Sequence, residues 1–190
     1  MKKDKLTIKA KKAKLRARSA YKLLEINKKF RLIKPNDDVL DLGCWPGGWM
    51  IVAKKIVNNG RVIGIDKKII EPVGGCNFIK ADILDDKILD KIKEKINKVD
   101  VVLSDLAPTT TGIKELDQRN SIDFCFRALF IASHVLKKNG NFLCKLFQSQ
   151  EEKQFIAKIK NMFNQVRIYK PIASKKRSKE IYIMGLGFKS

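Results

Sequence analysis

Apolar and polar positions along the chain follow two alternating periods, and their order predicts the fold class. Ser19–Phe30 carries Tyr21, Leu23, Leu24, Ile26 and Phe30 at helical spacing, with Ser19 placed to cap the first turn. Asp38–Gly43 reads as a short apolar strand opened by the turn residues Pro35, Asn36 and Asp37. After a break at Pro46-Gly47-Gly48, Trp49–Val57 is helical and stops at Asn58-Asn59-Gly60. Strands follow at Arg61–Asp66 and Asn77–Lys80. A charged helix at Asp86–Asn97 then places Ile88, Leu89, Ile92 and Ile96 on one face. Val99–Asp105 reads as a buried strand, and a long helix at about Asp117–Lys137 stops at Asn139-Gly140. A strand at Asn141–Phe147, a helix at Glu151–Phe163 and strands at Val166–Tyr169 and Ile181–Leu186 complete the pattern.

This alternation predicts an α/β protein: a mostly parallel, seven-stranded sheet with helices on both faces. The two closing strands have little between them, which predicts an antiparallel strand at one edge. The chain divides into a basic N-terminal arm, residues 1–18, and a single domain, residues 19–190, with no repeat or low-complexity linker. In open α/β sheets ligands bind at the carboxyl ends of the strands. The strand-terminal residues are therefore the candidates for chemistry.

Charge adds a partner class. The 190 residues are 44% hydrophobic, and no apolar run nears the roughly 20 residues that span a bilayer. Lys and Arg total 41 against 20 Asp and Glu, a net charge of +21. A bias toward Lys and Asn accounts for part of the excess but not for its clustering. Met1–Arg18 holds nine basic residues and one acid, and Lys170–Lys179 adds five more. Such clusters suit counterion release from a polyanion. The arm lacks the apolar core of a secretory signal; basic and nearly acid-free, it also resembles an organellar transit peptide without the usual Ser and Arg richness, and the preferred reading is an RNA-contacting arm. Cys44, Cys76, Cys125 and Cys144 are widely spaced with no zinc pattern, which fits a reducing compartment. His134 is the single histidine, which disfavours Ser-His-Asp chemistry and leaves Lys, Asp or Glu as candidate bases.

The first strand ends in Asp41-Leu42-Gly43-Cys44-Trp45-Pro46-Gly47-Gly48-Trp49, a glycine-rich turn that is neither a dinucleotide fingerprint nor a P-loop. The second ends at Asp66, where a carboxylate matches ribose hydroxyls. Together these point to a nucleoside cofactor, with NAD and S-adenosyl-L-methionine (SAM) both compatible. Asp82, ending the third strand, suits an adenine amino group and a helix cap equally. Asp105 ends the fourth strand before a Pro turn. Lys145 lies in an apolar strand, where an unpaired ammonium is costly to bury. It reads either as an edge residue that snorkels or as a functional lysine. Glu180, at the entrance to the last strand, would alone be a solvated charge.

The combination resembles the FtsJ-like (RrmJ) family of 2′-O-ribose RNA methyltransferases over nearly the whole chain. The matching pieces are Arg18-Ser19-Ala20-Tyr21-Lys22-Leu23, Asp41-Leu42-Gly43 with Pro46-Gly47-Gly48-Trp49, Ser104-Asp105-Leu106-Ala107-Pro108, Lys145-Leu146-Phe147 and Ser178-Lys179-Glu180-Ile181-Tyr182. The resemblance implies a Rossmann-like SAM-dependent methyltransferase fold and a catalytic set of Lys22, Asp105, Lys145 and Glu180. Lys145 would assist loss of the 2′-hydroxyl proton. Asp105 and Glu180 would hold and tune it, and Lys22 would add a second positive charge. For SAM it implies Gly43, Gly47 and Trp49 around the methionine part, Asp66 on the ribose, Asp82 near the adenine and Asp105 near the amino group. No metal is implied. Cys44-Trp45 departs from the two small residues common in the family, so Trp45 would either crowd or stack on the cofactor. Thr109–Gly112 lies where family members vary.

Pro46-Gly47-Gly48-Trp49 and Lys145-Leu146-Phe147-Gln148 look more like the branch that methylates a uridine of large-subunit ribosomal RNA. A tRNA or mRNA-cap 2′-O-methyltransferase is the alternative, followed by a non-catalytic RNA-binding assembly factor. The expected partner is RNA, with no membrane and a monomeric chain, in the cytoplasm or an organelle. Lys11, Lys12, Lys14, Arg16, Arg18, Lys175, Lys176 and Arg177 are expected to bind phosphates. Neutralising them should weaken binding to any RNA sequence and flatten the slope of log affinity against log salt, by about 0.7–0.9 for each phosphate no longer neutralised. Binding isotherms at several salt concentrations measure this slope.

Overall fold

The structure, a computed structural model, describes residues 15–107, 114–149, 151–174 and 178–189, with backbone alone at 114–118. The arm through residue 14, the segment 108–113 and the expected phosphate-binding residues at 175–177 lie outside the described residues.

The first helix, α1, spans Ala20–Phe30 and buries Ala20, Lys22, Leu23 and Ile26. Ser19 makes no side-chain cap; its carbonyl instead accepts the Trp49 indole N–H at 2.9 Å. The helix ends on Arg31 at φ 50°, whose N–H returns to the Asn27 carbonyl, an αL cap made without glycine. The elements that follow are β1 (Val39–Leu42), α2 (Gly48–Ile56), β2 (Val62–Asp66), β3 (Asn77–Lys80), α3 (Ile88–Lys93) and β4 (Val99–Ser104). They continue with α4 (Lys114–Val135), β5 (Leu136–Phe147), α5 (Glu152–Met162), β6 (Phe163–Tyr169) and β7 (Glu180–Phe188).

The seven strands form one sheet in the order β3-β2-β1-β4-β5-β7-β6. β1 to β5 are parallel, while β7 runs antiparallel to both β5 and β6. The antiparallel strand is thus one in from the edge. The edge itself is β6, whose exposed Asn164, Gln165 and Arg167 discourage further strand pairing. Chain order reverses between β1 and β4, which opens a crevice above their carboxyl ends.

Side chains alternate across the sheet into two cores. On one face Leu40, Leu42, Ile63, Val102 and Phe142 pack with Ile92, Cys125, Leu129, Phe155 and Ile159 of α3, α4 and α5. On the other, Val39, Val101, Leu103, Leu143 and Met184 pack with Leu23 and Ile26 of α1 and Met50, Val52 and Ala53 of α2. Burial of this apolar surface on both sides is the main force holding the layers together.

Two elements differ most from the sequence pattern, while α4 and β6 each begin about three residues earlier than expected, at Lys114 and Phe163. The charged helix is shorter than Asp86–Asn97; past Lys93 it closes in a turn in which the Lys95 and Ile96 N–H groups both return to the Ile92 carbonyl, leaving Ile96 buried. The extended chain of β5 begins at Leu136 instead of Asn141. Leu136 pairs with Val99, and the register shifts between Val99 and Val101 as Asn139 adopts φ 64°. Asn139-Gly140 is therefore a turn within the extended segment, not a helix stop. Among the described residues no helix is long and apolar enough to cross a membrane.

Gly185 marks the tightest packing on β7. A Cβ there would stand 2.6 Å from the Phe163 ring, which stacks on Phe142 at 6.2 Å between centroids. Gly185→Ala should cost about 1–3 kcal/mol. Urea unfolding should show a lower midpoint with an unchanged slope.

Candidate active site

A cavity of about 340 Å³ opens at the carboxyl ends of β1 to β4, lined by Gly43, Trp45, Asp66, Asp82, Asp105 and Leu106 among others. Its volume is that of a small-molecule site. Gly43, at φ 77°, donates to the Ile65 carbonyl at 2.8 Å, and any Cβ on it would overlap the Leu106 side chain. Glycine is therefore required for the loop after β4 to close over the turn after β1.

Two of the acids on the wall, Asp66 and Asp82, also organise backbone. Asp66 accepts from the Trp45 N–H at 2.9 Å and the Lys68 N–H at 2.8 Å, so it ties the glycine-rich turn to the end of β2. Asp82 lines the cavity and accepts from the Leu84 N–H at 3.0 Å, a local turn and not a helix cap, since α3 begins only at Ile88. Trp45 stands at the rim, half exposed, with the Lys68 ammonium 4.7 Å from its ring centroid. Gly47 and Trp49 lie outside the cavity lining. Gly47 faces the Arg16 guanidinium, and Trp49 is buried against Tyr182 at 5.9 Å between centroids.

Beside this cavity four charged side chains meet. The Lys145 ammonium lies 3.0 Å from the Asp105 carboxylate and donates to the Asp105 carbonyl at 2.7 Å. The Lys22 ammonium lies 2.5 Å from Glu180 Oε1, which also accepts from the Ser174 hydroxyl at 2.7 Å. Tyr182 links the two pairs. Its hydroxyl donates to Asp105 Oδ1 at 2.7 Å, and its ring lies under Lys22, 5.6 Å from the ammonium. Register explains the meeting: Lys145 of β5 is opposite Tyr182 of β7, and Phe147 is opposite Glu180. Burial alone would raise the Glu180 carboxyl. The Lys22 ammonium, the Ser174 hydroxyl and the charge on Lys145 more than offset it and hold the group below the usual carboxylate range. Burial and the neighbouring Asp105 carboxylate push the Tyr182 phenol upward, so it remains a donor at neutral pH.

This arrangement is sequestered and adjacent to a nucleoside-sized cavity. The chain matches the family model described as FtsJ-like methyltransferase over residues 15–188. It belongs to the FtsJ-like methyltransferase family. A relative named "Ribosomal RNA large subunit methyltransferase E" from Methanocaldococcus jannaschii is 44% identical over 92% of this chain and 74% of its own length. One of the same name from Desulfatibacillum aliphaticivorans is 44% identical over 96% of this chain and 89% of its own. Among solved structures, a Plasmodium falciparum protein described as a ribosomal RNA methyltransferase superposes with a TM-score of 0.81 at 32% identity, covering 91% of this chain and 98% of that one. A fibrillarin/Nop5p complex chain, at 19% identity and a TM-score of 0.64, shares the fold. As an FtsJ-like methyltransferase, the protein takes its methyl group from SAM. The cavity fits the adenosyl part of that donor: a close-approach glycine, acids ending β2 and β3, and apolar walls from Ile65, Ile83 and Phe124.

Several site residues escaped the sequence reading. Tyr182 follows Glu180 by two and so shares its strand face, a signal that was present. Ser174 gave none. Arg16 was expected on phosphate, yet it donates to the carbonyls of Pro46, Glu71 and Pro72 and thereby buttresses the glycine-rich turn. Arg18 likewise donates to the Ala173 carbonyl at 3.1 Å. Asp41 is fully buried on β1 between Gly64 and Leu103, and neither carboxyl oxygen has a hydrogen-bond partner among the described residues.

Burial first, then the nearby Asp105 and Asp66 carboxylates, push the Asp41 carboxyl well above its ordinary 3.8. A raised folded-state value stabilises the fold fully only below the unfolded value. As pH rises further, the unfolded chain ionises first and stability falls, by about 1.4 kcal/mol per pH unit, until the folded carboxyl titrates. Asp41→Asn removes this slope, whatever constant cost its amide adds. Urea unfolding from pH 4 upward should show the variant gaining steadily on the parent protein.

Proposed function

We propose that this chain transfers the SAM methyl group to a ribose 2′-hydroxyl, at a uridine of large-subunit ribosomal RNA. The observation that carries this reading is the double position of Asp105. It lines the cofactor cavity and also holds the Lys145 ammonium, so the donor and the activating group share one wall. The names of the relatives support the RNA class, and the basic character of the chain supports a polyanionic substrate.

When bound, SAM supplies a methyl group on a positively charged sulfur, open to displacement by an oxygen nucleophile. The residues must align that oxygen and lower the cost of its deprotonation. Lys145 does the second: its charge stabilises negative charge growing on O2′ as the proton leaves. Asp105 fixes the ammonium through its carboxylate and its carbonyl. Glu180, kept ionised, holds Lys22 in place as the second cation near the target ribose. Tyr182 and Trp49 close the floor of the cluster and keep water from screening these charges. The protein acts as a monomer inside the cell, with residues 19–190 as one domain.

Lys145→Ala should reduce methyl transfer by at least about 10²-fold while changing SAM affinity little. Single-turnover methylation and SAM titration separate the two effects. Cells lacking the protein should lose 2′-O-methylation at a uridine of large-subunit ribosomal RNA. An unaltered methylation map of that RNA would overturn the substrate assignment.

A further inference from the structure

A second cleft, of about 430 Å³, adjoins the charged cluster and takes no part in the mechanism above. Tyr21, Leu24, Glu25 and Lys28 of α1 form one wall, and Ile172 and Ala173 of the β6–β7 loop form the other. Both walls continue into the catalytic cluster. Tyr21 precedes Lys22, and Ala173 precedes Ser174, the donor to Glu180. Resting on the reading of the chain as an RNA 2′-O-methyltransferase, we infer that this cleft receives an unpaired nucleobase of the RNA strand next to the methylated nucleotide.

The loop is clamped, yet its apolar side chain is bare. Glu25 accepts from the backbone N–H groups of Ile172, at 2.8 Å, and Ala173, at 3.3 Å, and from the Tyr169 hydroxyl at 2.6 Å. Arg18 holds the Ala173 carbonyl from the other side. The Ile172 side chain is nevertheless 89% exposed, and Leu24 beside it is 36% exposed. A surface turn needs no isoleucine, and polar turn residues would satisfy this backbone equally. Rigid presentation of an apolar side chain at a cleft is the arrangement of a binding surface.

Charge selects the occupant. The Glu25 carboxylate faces the cleft, but hydrogen bonds to the β6–β7 segment engage both of its oxygens. Lys28 lines the cleft, and Lys29 stands nearby over the Tyr169 ring at 4.3 Å. An apolar slot with one lysine in its wall and a second on the same helix suits a ligand with a flat apolar face and a negative backbone. A single-stranded RNA provides both, and proteins read such strands by packing aromatic and apolar side chains on splayed bases.

The test uses the full chain, a single-stranded oligouridylate and an abasic ribose-phosphate oligomer of equal length. The parent protein should prefer the oligouridylate by about 5- to 100-fold, the range for base stacking. Ile172→Ala should lose most of that preference. Its affinity for the abasic oligomer, the salt slope and SAM binding should remain unchanged, because the phosphate-binding cations and the cofactor cavity are untouched. With ribosomal RNA as substrate, the same variant should raise KM with kcat nearly constant. A parent protein indifferent to the bases, or an Ile172→Ala variant that keeps the full preference, overturns the inference and leaves the cleft to another kind of partner. Neither result bears on the Lys145→Ala and methylation-map experiments, which judge the catalytic reading by themselves.

Discussion

An ammonium and a carboxylate cannot be withdrawn from water singly without large cost. That constraint governs the cluster around Lys145. With both lysines and Glu180 largely buried, each charge requires an opposite one at close range: Asp105 for Lys145, Glu180 for Lys22. The two pairs are joined by the Tyr182 hydroxyl and further set by Ser174. The positions of α1, the β4 terminus, β5 and β7 are mutually fixed by this pairing. A shift in any one would strand a buried charge.

The antiparallel β7 is the structural device that makes the pairing possible. A parallel strand in that place would bring its carboxyl end to the site, whereas β7 brings its amino end, where Glu180 stands. The central parallel strands meanwhile deliver Gly43, Asp66, Asp82 and Asp105 from their carboxyl ends. The cavity and the charge cluster therefore occupy the same rim of the sheet, with Asp105 common to both. Asp41, buried on β1, lies close enough to Asp105 and Asp66 that their carboxylates add to the effect of burial and push its own carboxyl upward.

Long-range tethers complete the site from the side. Arg16 binds the carbonyls of the turn after β1 and of the β2–β3 loop, and Glu25 with Arg18 anchors the β6–β7 loop on α1. The basic residues nearest the domain are thus divided in purpose. Some are committed to internal carbonyls, and the excess charge is left to the surface. A count of lysines and arginines does not reveal that division, because a guanidinium serves a phosphate and a row of carbonyls equally well.

By itself the sequence determined the alternation of strands and helices, the two-faced sheet and the strand-end positions of Asp66, Asp82 and Asp105. Apolar periodicity and turn residues act over a few positions and can be read directly. The motifs around Lys22, Lys145 and Glu180 also carried the family resemblance. Tertiary structure alone decided which charges pair, that Gly47 and Trp49 stand outside the cavity lining, and that Asp41 is sealed without a partner among the described residues. It also decided that Arg18 serves a carbonyl 155 residues away. The physical reason is one of range. A side chain's period tells which face it occupies, but its partner is whatever the packed sheet brings within about 3 Å, and burial sets the charge state only after that packing exists.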